Sequence, residues 1–334
     1  MTYRLNTRYK LHTTNELLGL LGLDNEEQLL ELISNKDKYF KEKVIQNIRW
    51  NETPKNPRKG WVPTGRMRYV HDRLAKTVIA ELQAQLPIRM MGGRPGSTTK
   101  KMTKIHCNKE AVLKMDIKGC FDSISPNMIR KMLYKALNTQ VSSSNLDYIC
   151  NLLSIDNRLP QGAPCSTAIC NCVLLPAFNS IDQYCESHDL IVSSWVDDFV
   201  ISGPKSAVYS CIPKIRLLFI KAGLRVSDEK TTVQKRGGFG ALDQNGNNSE
   251  VVGLTIGLQP TVHINKREFV RGQWLRAASG DHSVSLSRLK GKTEYIRQYH
   301  PGYVKRLKKY EEAASQQFLT SPFSQQGNLD NHAK

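Results

Sequence analysis

The sequence lacks paired cysteines, a long apolar run and a signal-peptide pattern. None of its eight cysteines forms a C-x-x-C pair, and the lone Cys185-x-x-His188 has no second pair to complete the four ligands of a structural zinc site. No apolar stretch approaches the roughly 20 residues of a membrane-spanning helix, and the start at Met1 has no leader pattern. We therefore expect a cytoplasmic protein with reduced thiols and no membrane association.

Acidic residues are scarce in comparison with basic ones. The 334 residues include 48 Lys and Arg but only 30 Asp and Glu, which gives a net charge of +18 and a pI near 9.6. Such an excess favours a polyanionic partner, most often a nucleic acid. The length allows one large core or two to three subdomains, and no internal repeat divides it.

Two adjacent aspartates, Asp197 and Asp198, interrupt an otherwise apolar stretch. A largely apolar run at 190–196 precedes them and a second one at 199–201 follows, a pattern that predicts a β-hairpin with a very tight turn. Neighbouring carboxylates repel each other, so both stay ionised only beside a positive group, and Mg²⁺ is a hard cation that prefers such oxygen ligands. The alternative is a solvated surface turn that happens to hold two acids.

A third aspartate, Asp116, lies in the apolar strand predicted at 111–117. A buried carboxylate without a partner costs several kcal/mol, so Asp116 must lie at the solvent end of the strand, face a cation or bind a metal. Phe121 follows five residues later. Further along, Leu-Pro-Gln-Gly at 159–162 predicts a loop that allows close backbone approach to a ligand, ahead of an apolar helix at 168–184.

Two basic segments are candidates for phosphate binding. Arg66 and Arg68 alternate with Met67 and Tyr69. A strand would therefore project both guanidinium groups from one face, where they would suit a triphosphate or a phosphate backbone. The alternative is an exposed basic strand. The glycine-rich loop at 92–97 is neither a G-x-G-x-x-G nor a P-loop motif, and we interpret it as a plain turn unless Arg94 faces a substrate.

The other patterns before residue 260 predict mainly helices and loops. Apolar residues at helical spacing mark helices, and clusters of Gly, Pro and Asn mark loops. The predicted segments are helices at 12–48, 126–153 and 205–222, loops at 51–65 and 234–249, and a strand at 251–256.

The C-terminal part of the chain is strongly basic. Between 264 and 309 there are twelve Lys or Arg residues and three acids, with five aromatic residues interleaved. Basic helices with aromatic side chains are typical of binding to a nucleic-acid duplex or a structured RNA. The alternative is a solvated helical face over a few core aromatics. Residues 315–334 are polar, and we predict that they are disordered.

The order of these motifs resembles that of a reverse transcriptase. Asp116-x-x-x-x-Phe121 comes first, Leu-Pro-Gln-Gly-x-x-x-Ser at 159–166 second, and x-x-Asp-Asp at 195–198 third. Residues 60–260 carry the resemblance. The Val-x-Gly-Leu sequence at 251–254 and the basic segment after it resemble those of retron-type and phage-defence-associated bacterial enzymes.

The resemblance implies an α+β right-hand polymerase fold with fingers, an antiparallel palm sheet and a small helical thumb. It also implies an RNA-directed DNA polymerase that makes cDNA from an associated structured non-coding RNA, in antiviral (phage) defence. The implied domains are N-terminal helices and fingers at 1–113, the palm at 114–258 with fingers helices at about 125–158, the thumb at 259–314, and a disordered tail at 315–334.

The resemblance further implies a role for individual residues. Asp116, Asp197 and Asp198 would hold two Mg²⁺ ions, for which Mn²⁺ could substitute, together with the main-chain carbonyl of Ile117. The nucleotide would be held by Arg66, Arg68, Phe121 as a gate against the ribose 2′-hydroxyl, Gln161 beside the nascent base pair, and Lys230 as a proton donor to pyrophosphate. The thumb would contact RNA through Arg271, Trp274, Arg276, Lys305 and Arg306.

The sequence departs from the family pattern at three places. Trp195-Val196 stands where Tyr followed by Ala or Met is usual, Ser166-Thr167 stands in place of Ser-Pro, and Gly93 stands where an aromatic residue is common. None of these departures removes an expected metal ligand.

The sequence is also compatible with two other functions. One is an untemplated or protein-primed deoxynucleotidyl transferase on the same fold, and the other is a catalytically inactive RNA-binding scaffold. The expected partners are the non-coding RNA, an RNA template, the DNA product and dNTPs, with an effector protein or a second copy of the chain as further candidates.

Overall fold

Helices and short antiparallel strands alternate along the chain in the computed structural model, which describes residues 6–45, 58–235 and 250–320. Their buried side chains form a large core that ends at Val233, a second core from Leu254 to Ala314, and a small third cluster that includes Met102, Val200 and Val251. The fold is α+β, as predicted. Within the described ranges, no helix combines the length and the apolarity needed to cross a membrane.

Short capped helices form the N-terminal part. The Thr13 hydroxyl accepts a hydrogen bond from the Glu16 N–H while the Glu16 carboxylate accepts one from the Thr13 N–H, which closes a capping box. Asn25 caps the second helix by accepting from the Gln28 N–H. The elements are α1 (Thr14–Leu21), α2 (Glu26–Ser34), α3 (Lys36–Tyr39), β1 (Phe40–Ile45), β2 (Arg58–Pro63), α4 (Gly65–Lys76), α5 (Val78–Ala84) and α6 (Thr99–His106).

A β-hairpin replaces the end of the helical region predicted at 12–48 and part of the loop predicted at 51–65. β1 and β2 pair antiparallel along their whole length, from Phe40 opposite Pro63 to Ile45 opposite Arg58. Cross-strand contacts stabilise such a pair, and the pattern within either segment alone does not reveal its partner. Both predictions were therefore wrong where β1 and β2 lie.

The basic strand predicted around Arg66 and Arg68 is also wrong, because the segment is the start of α4. The buried side chains of α4 recur at helical spacing from Met67 to Leu74. This longer pattern outweighs the short alternation that suggested a strand. Residues two apart in a helix point about 200° from each other, so the two arginines do not share a face.

The middle of the chain combines the central strands with five helices. The helices predicted at 126–153 and 205–222 are present, the first as two helices separated by a 3₁₀ turn (Asn138–Gln140). The elements are β3 (Ala111–Asp116), α7 (Cys120–Ser123), α8 (Pro126–Leu137), α9 (Ser143–Leu152), α10 (Ser166–Glu186), β4 (Ile191–Trp195), β5 (Asp198–Gly203), α11 (Lys205–Lys221) and β6 (Thr232–Lys235).

These strands form an antiparallel sheet in the order β4-β5-β3-β6. On one face, the Phe199 ring of β5 lies 4.9 Å from the ring of Phe219 on α11 and 6.3 Å from that of Phe178 on α10, between centroids. On the other face, α6 packs against β4 and β5. The sheet is therefore buried on both sides, which explains why the central strands read as nearly continuous apolar runs. Most of the loop predicted at 234–249 lies outside the described residues.

A buried histidine links α6 to the sheet. The His106 ring is fully buried, with Nδ1 2.7 Å from the Ser202 hydroxyl of β5 and Nε2 2.6 Å from the Ser193 hydroxyl of β4. Burial lowers the pKa of His106 to about 3. A neutral imidazole therefore joins the two strands that lead into and out of the Asp197 turn.

The C-terminal elements form a separate helical bundle behind a small hairpin. The strand predicted at 251–256 is instead two very short strands joined by a turn at Val252 and Gly253, whose φ angles are 43° and 83°. The last helix continues to Thr320, so the tail predicted to be disordered from 315 is helical at its start. The elements are β7 (Glu250–Val251), β8 (Leu254–Thr255), α12 (Ile264–Ala278), α13 (Leu286–Arg297) and α14 (Pro301–Thr320).

We expect the buried histidines to make the protein less stable in mild acid. His71, whose Nε2 lies 3.0 Å from the Leu152 carbonyl oxygen, is as buried as His106, and burial lowers its pKa to about 4. The unfolded chain binds a proton at each histidine below its ordinary pKa of 6.5, whereas both stay neutral in the folded protein down to about pH 4. The free energy of unfolding should therefore fall by about 2 kcal/mol per histidine between about pH 7 and pH 5.

Urea unfolding at the two pH values measures this loss. His106→Asn removes one of the two buried histidines, so the loss of stability between about pH 7 and pH 5 should be about 2 kcal/mol smaller in the variant than in the wild type. Equal losses in both proteins would show that His106 does not remain neutral in the folded state.

Candidate active site

Three aspartates lie together at one end of the two central strands. Asp116 ends β3 directly opposite Asp198, which begins β5. Trp195 of β4 also pairs with Asp198, so the turn that contains Asp197 has only two residues, and the predicted tight hairpin is confirmed. The Ile117 N–H donates to the Asp197 carbonyl oxygen over 3.1 Å, which ties this turn to the end of β3.

Negative charge is concentrated at this end of the sheet. Asp198 reaches solvent, yet the protein around it desolvates its carboxyl group, and this effect together with the charges of Asp197 and Asp116 raises its pKa to about 6. The Lys230 ammonium lies 2.9 Å from each carboxylate oxygen of Asp116. Asp116 thus lies at the end of its strand and faces a cation, which are two of the three arrangements expected for a carboxylate in an apolar strand.

A cleft of about 690 Å³ opens beside these aspartates. Phe121 is half-buried and packs against the large core while it also lines the cleft, so its ring is both a core group and a wall of the site. The structure brings six of the predicted site residues together here: Asp116, Ile117, Phe121, Gln161, Asp197 and Lys230.

The β1–β2 hairpin holds the 159–162 loop in the cleft. The Trp61 N–H donates to the Gln161 carbonyl oxygen over 2.9 Å. Gly162 has a φ of 117°, and a Cβ at this position would lie 3.3 Å from Val62 Cγ2. The close backbone approach predicted for this loop is therefore an approach to the hairpin, and it places Gln161 at the cleft wall.

Two cations that line the cleft, Lys59 and Arg158, were not predicted. Lys59 lies on β2, in a segment predicted to be a loop, and pairs with Glu42 of β1 at 2.8 Å. Arg158 pairs with Asp122 at 3.2 Å and follows a turn at 156–157 whose Asp and Asn have φ angles of 49° and 56°. Asp and Asn tolerate this conformation. The Asp156-Asn157 pair could therefore have predicted the turn that places Arg158 at the cleft.

The arginines predicted to bind phosphate lie outside the cleft lining. Arg66 and Arg68 are exposed on α4, and the Arg68 Nε lies 2.9 Å from an Asp72 carboxylate oxygen. Arg94 turns back and donates to two main-chain carbonyl oxygens just after α5, at 2.9 and 2.6 Å. This contact agrees with the interpretation of the glycine-rich loop as a turn.

The aspartates offer the hard oxygen ligands that Mg²⁺ prefers. Among the residues that the structure describes, no three acidic, His or Cys side chains are close enough to enclose an ion in their present rotamers. Asp116 and Asp197 nevertheless face the same cleft. The Lys230 ammonium already contacts Asp116, so a cationic group is accommodated beside these carboxylates. The carboxylate oxygens of these residues are therefore chemically suitable ligands for a divalent cation.

Trp274 is a core residue of the C-terminal bundle. Its side chain is fully buried, and its Nε1–H donates to the Thr293 hydroxyl over 2.8 Å. A ring with no exposed face cannot stack on a base, so the prediction that Trp274 contacts RNA is wrong. The sequence around Trp274 does not distinguish a tryptophan that packs in the core from one that stacks on RNA.

The predicted RNA-binding cations of the bundle differ in their surroundings. Arg271 pairs with Glu268 at 2.8 Å, and Arg276 pairs with Asp281. Lys305 and Arg306 are exposed side by side near the start of α14. The α14 pair therefore presents the less neutralised positive charge.

Most of the chain matches a known protein family. The family described as "Reverse transcriptase (RNA-dependent DNA polymerase)" matches residues 53–256, more than half of the chain. The chain belongs to the reverse transcriptase family. The match includes all three aspartates and the 159–162 loop, and the right-hand polymerase fold inferred from the motif order is confirmed for this reverse transcriptase.

Curated relatives of this reverse transcriptase are retron enzymes. It is 25% identical over 255 residues to the retron Mx65 reverse transcriptase of Myxococcus xanthus, covering 70% of this chain and 57% of the relative. It is 26% identical over 147 residues to the retron Ec48 reverse transcriptase of Escherichia coli, covering 41% of this chain and 35% of the relative. The chain thus spans between a third and three fifths of the length of these relatives.

A solved telomerase structure is similar at a lower level. The telomerase of Candida albicans, solved with a fragment of telomeric RNA, has 14% sequence identity and a TM-score of 0.45 and covers 85% of this chain and 59% of its own. The fold assignment therefore depends on the family match and on the observed sheet.

Proposed function

We propose that this chain is an RNA-directed DNA polymerase. The observation that carries the proposal is the position of Asp116 opposite Asp198 across β3 and β5, with Asp197 in the adjoining turn, beside a cleft that also contains Phe121 and Gln161. A primer hydroxyl, an incoming dNTP and a template base would meet in this cleft. The family match includes every one of these positions.

Divalent ions, two Mg²⁺ with Mn²⁺ as a substitute, are part of this proposal. Asp116 and Asp197 would hold both ions, with Asp198 and the Ile117 carbonyl as additional ligands. When bound, such ions supply activation of the attacking hydroxyl and neutralisation of charge on the leaving pyrophosphate.

The other cleft residues act on the nucleotide in the proposed mechanism. The Phe121 ring excludes a ribose 2′-hydroxyl, and Gln161 packs beside the nascent base pair. Lys230 neutralises Asp116 through its two contacts of 2.9 Å and, once a substrate is bound, gives a proton to the leaving pyrophosphate.

Four cations are proposed contacts for the triphosphate, two of them in the cleft lining and two outside it. Lys59 and Arg158 line the cleft, and each is paired with an acid that a phosphate would replace. Arg66 and Arg68 lie at the start of α4, directly after β2, and remain proposed contacts from the sequence analysis.

A structured non-coding RNA is the proposed partner of the C-terminal bundle, which we assign as the thumb. The curated relatives are retron reverse transcriptases by name, and the segment 264–309 has twelve cations against three acids. By the same resemblance, the cDNA would serve phage defence in the cytoplasm, with an effector protein or a second copy as a further partner. The eight free cysteines accord with a reducing compartment.

One experiment separates this function from the two alternatives. The protein is purified from its host, the RNA that accompanies it is sequenced, and the complex is incubated with each dNTP. DNA complementary to one defined RNA supports the proposal, and DNA without a complement indicates an untemplated or protein-primed transferase. An absence of DNA would indicate an inactive scaffold, which the presence of all three aspartates disfavours.

Asp197→Asn should lower dNTP incorporation by about 10³-fold or more. It removes a charge that the site needs to hold the divalent ions, and a loss of about 4 kcal/mol in transition-state stabilisation corresponds to that factor. Primer-extension kinetics measure the loss. Asp147→Asn, which changes an exposed acid on α9 that is paired with Arg130 at 2.6 Å, is the matched control and should retain activity. Incorporation by Asp197→Asn at the wild-type rate would refute the polymerase assignment.

Phe121→Ala should lower the preference for dNTPs over rNTPs by about tenfold or more, since the wall that excludes the 2′-hydroxyl is removed. The ratio of kcat/KM for a dNTP and its matching rNTP measures this preference. Phe121→Tyr keeps the ring and should keep the preference. A wild-type enzyme that uses rNTPs as readily as dNTPs would show that Phe121 is only a core residue.

Replacing Lys305 and Arg306 by Ala should weaken RNA binding and reduce the slope of log affinity against log salt by about 2 or somewhat less, because two phosphate contacts are lost. Binding of the co-purified RNA between about 50 and 200 mM salt measures the slope. Trp274→Phe should leave the slope unchanged and lower the free energy of unfolding by about 1–3 kcal/mol, as an internal hydrogen bond is lost. A slope that both variants leave unchanged would exclude the α14 pair from the RNA contact.

A further inference from the structure

The segment before the glycine-rich loop joins the sheet beside the β4–β5 hairpin, whose turn contains Asp197. The Met91 N–H donates to the Ser194 carbonyl oxygen and the Ser194 N–H donates to the Arg89 carbonyl oxygen, both over 2.9 Å. The chain from 89 to 91 therefore runs along the free edge of β4. This contact brings Gly92 and Gly93 to the turn that carries Asp197.

Gly92 touches the backbone of that turn. A Cβ on Gly92 would lie 2.4 Å from the Val196 nitrogen, 2.6 Å from Val196 Cγ2 and 2.7 Å from the Trp195 carbonyl carbon. Two of these three atoms are main-chain atoms, so a rotamer change cannot relieve the overlap. Glycine is needed at position 92 because the two backbones touch.

Gly93 is fitted to the first turn of α10. It has a φ of 73°, and a Cβ there would lie 2.3 Å from Thr167 Cγ2. One turn further along α10, the buried Asn171 side chain donates to the Gly92 carbonyl oxygen over 2.7 Å. Gly92 and Gly93, which we call the Gly92–Gly93 loop, are thus held between α10 on one side and the Val196–Asp197 turn on the other.

The turn that this loop supports has a strained residue. Val196 has a φ of 59°, a left-handed conformation that is rare for a β-branched side chain and persists only where the surrounding structure enforces it. The next residue, Asp197, is tied to β3 by the hydrogen bond from the Ile117 N–H. The loop therefore contacts the residue whose backbone angles set the direction of Asp197.

We propose that the Gly92–Gly93 loop is a positioning element that holds Val196 in its left-handed conformation and thereby aims the Asp197 carboxylate into the cleft. Thr167 and Asn171 keep the loop in place from α10. The inference rests on the proposed polymerase function for its kinetic consequence, but the geometry of the turn can be tested without it.

Gly92→Ala is the direct test. The added methyl group must displace the turn, and misplacement of a reacting group by about 1 Å lowers the rate by about 10²-fold. We expect that loss in kcat for single-nucleotide incorporation, with the KM for the dNTP within about threefold of the wild type. Gly96→Ala is the matched control, because Gly96 has the same φ of 73° as Gly93 but nothing within 4 Å of an added Cβ, and it should retain kcat.

A rescue experiment separates positioning from general damage to the fold. Gly93→Ala should lower kcat, and adding Thr167→Ser, which removes the methyl group in the way, should restore most of it. A double variant as impaired as Gly93→Ala alone would overturn the matched contact with α10. This pair also serves as the test if Gly92→Ala does not fold, as judged by thermal unfolding.

A crystal structure of Gly92→Ala, or of Gly93→Ala in its place, distinguishes failure of the inference from failure of the proposed function. We expect the Asp197 turn to shift by about 1 Å or more relative to the wild type. A turn that has not moved would overturn the positioning role whatever the activity of the protein. A wild-type protein that incorporates no nucleotide while the turn shifts in the variant would instead overturn the polymerase proposal alone.

Discussion

The pairing of β3 with β5 is the constraint on which the candidate active site depends. Met115 lies opposite Phe199 in this pairing, and both side chains are buried. A slip of one residue would turn the Phe199 ring away from Phe178 and Phe219 to the face that α6 covers, so these specific packing contacts keep Asp116 opposite Asp198. Two carboxylates that repel each other are thus brought together by the free energy of burying their neighbours. The electrostatic features of the site, including the Lys230 contact, follow from this arrangement.

Prediction from sequence succeeded where the signal was short and continuous. The Asp197 hairpin depends on a few adjacent residues, and the motif order identified Asp116, Phe121 and Gln161, which line one cleft. Prediction failed where the residue that decides the structure lies elsewhere in the chain. β1 is a strand because β2 pairs with it. Trp274 is a core residue because Thr293 and the rest of the bundle enclose it. The arginines on α4 were misassigned because a short alternation was preferred to a longer helical pattern.

The three departures from the family pattern meet at one place in the structure. Gly93 lies against Thr167, and the Val196 backbone lies against Gly92, next to Gly93. A larger residue at 93 would overlap Thr167, so the small residue in the loop and the side chain on α10 are matched in shape. The sequence lists these departures as three separate exceptions, because contacts between positions so far apart appear only in the fold.

The burial of Trp274 separates two properties of the C-terminal bundle. Its stability comes from the interior, where the indole N–H is satisfied by Thr293 and the apolar side chains of three helices pack around the ring. The exposed cations, such as Lys305 and Arg306, add little to that interior. Surface charges of this kind can be exchanged at small cost in folding free energy. The outer face of the bundle is therefore free to diverge in evolution, and related chains could acquire different ligands on an unchanged scaffold.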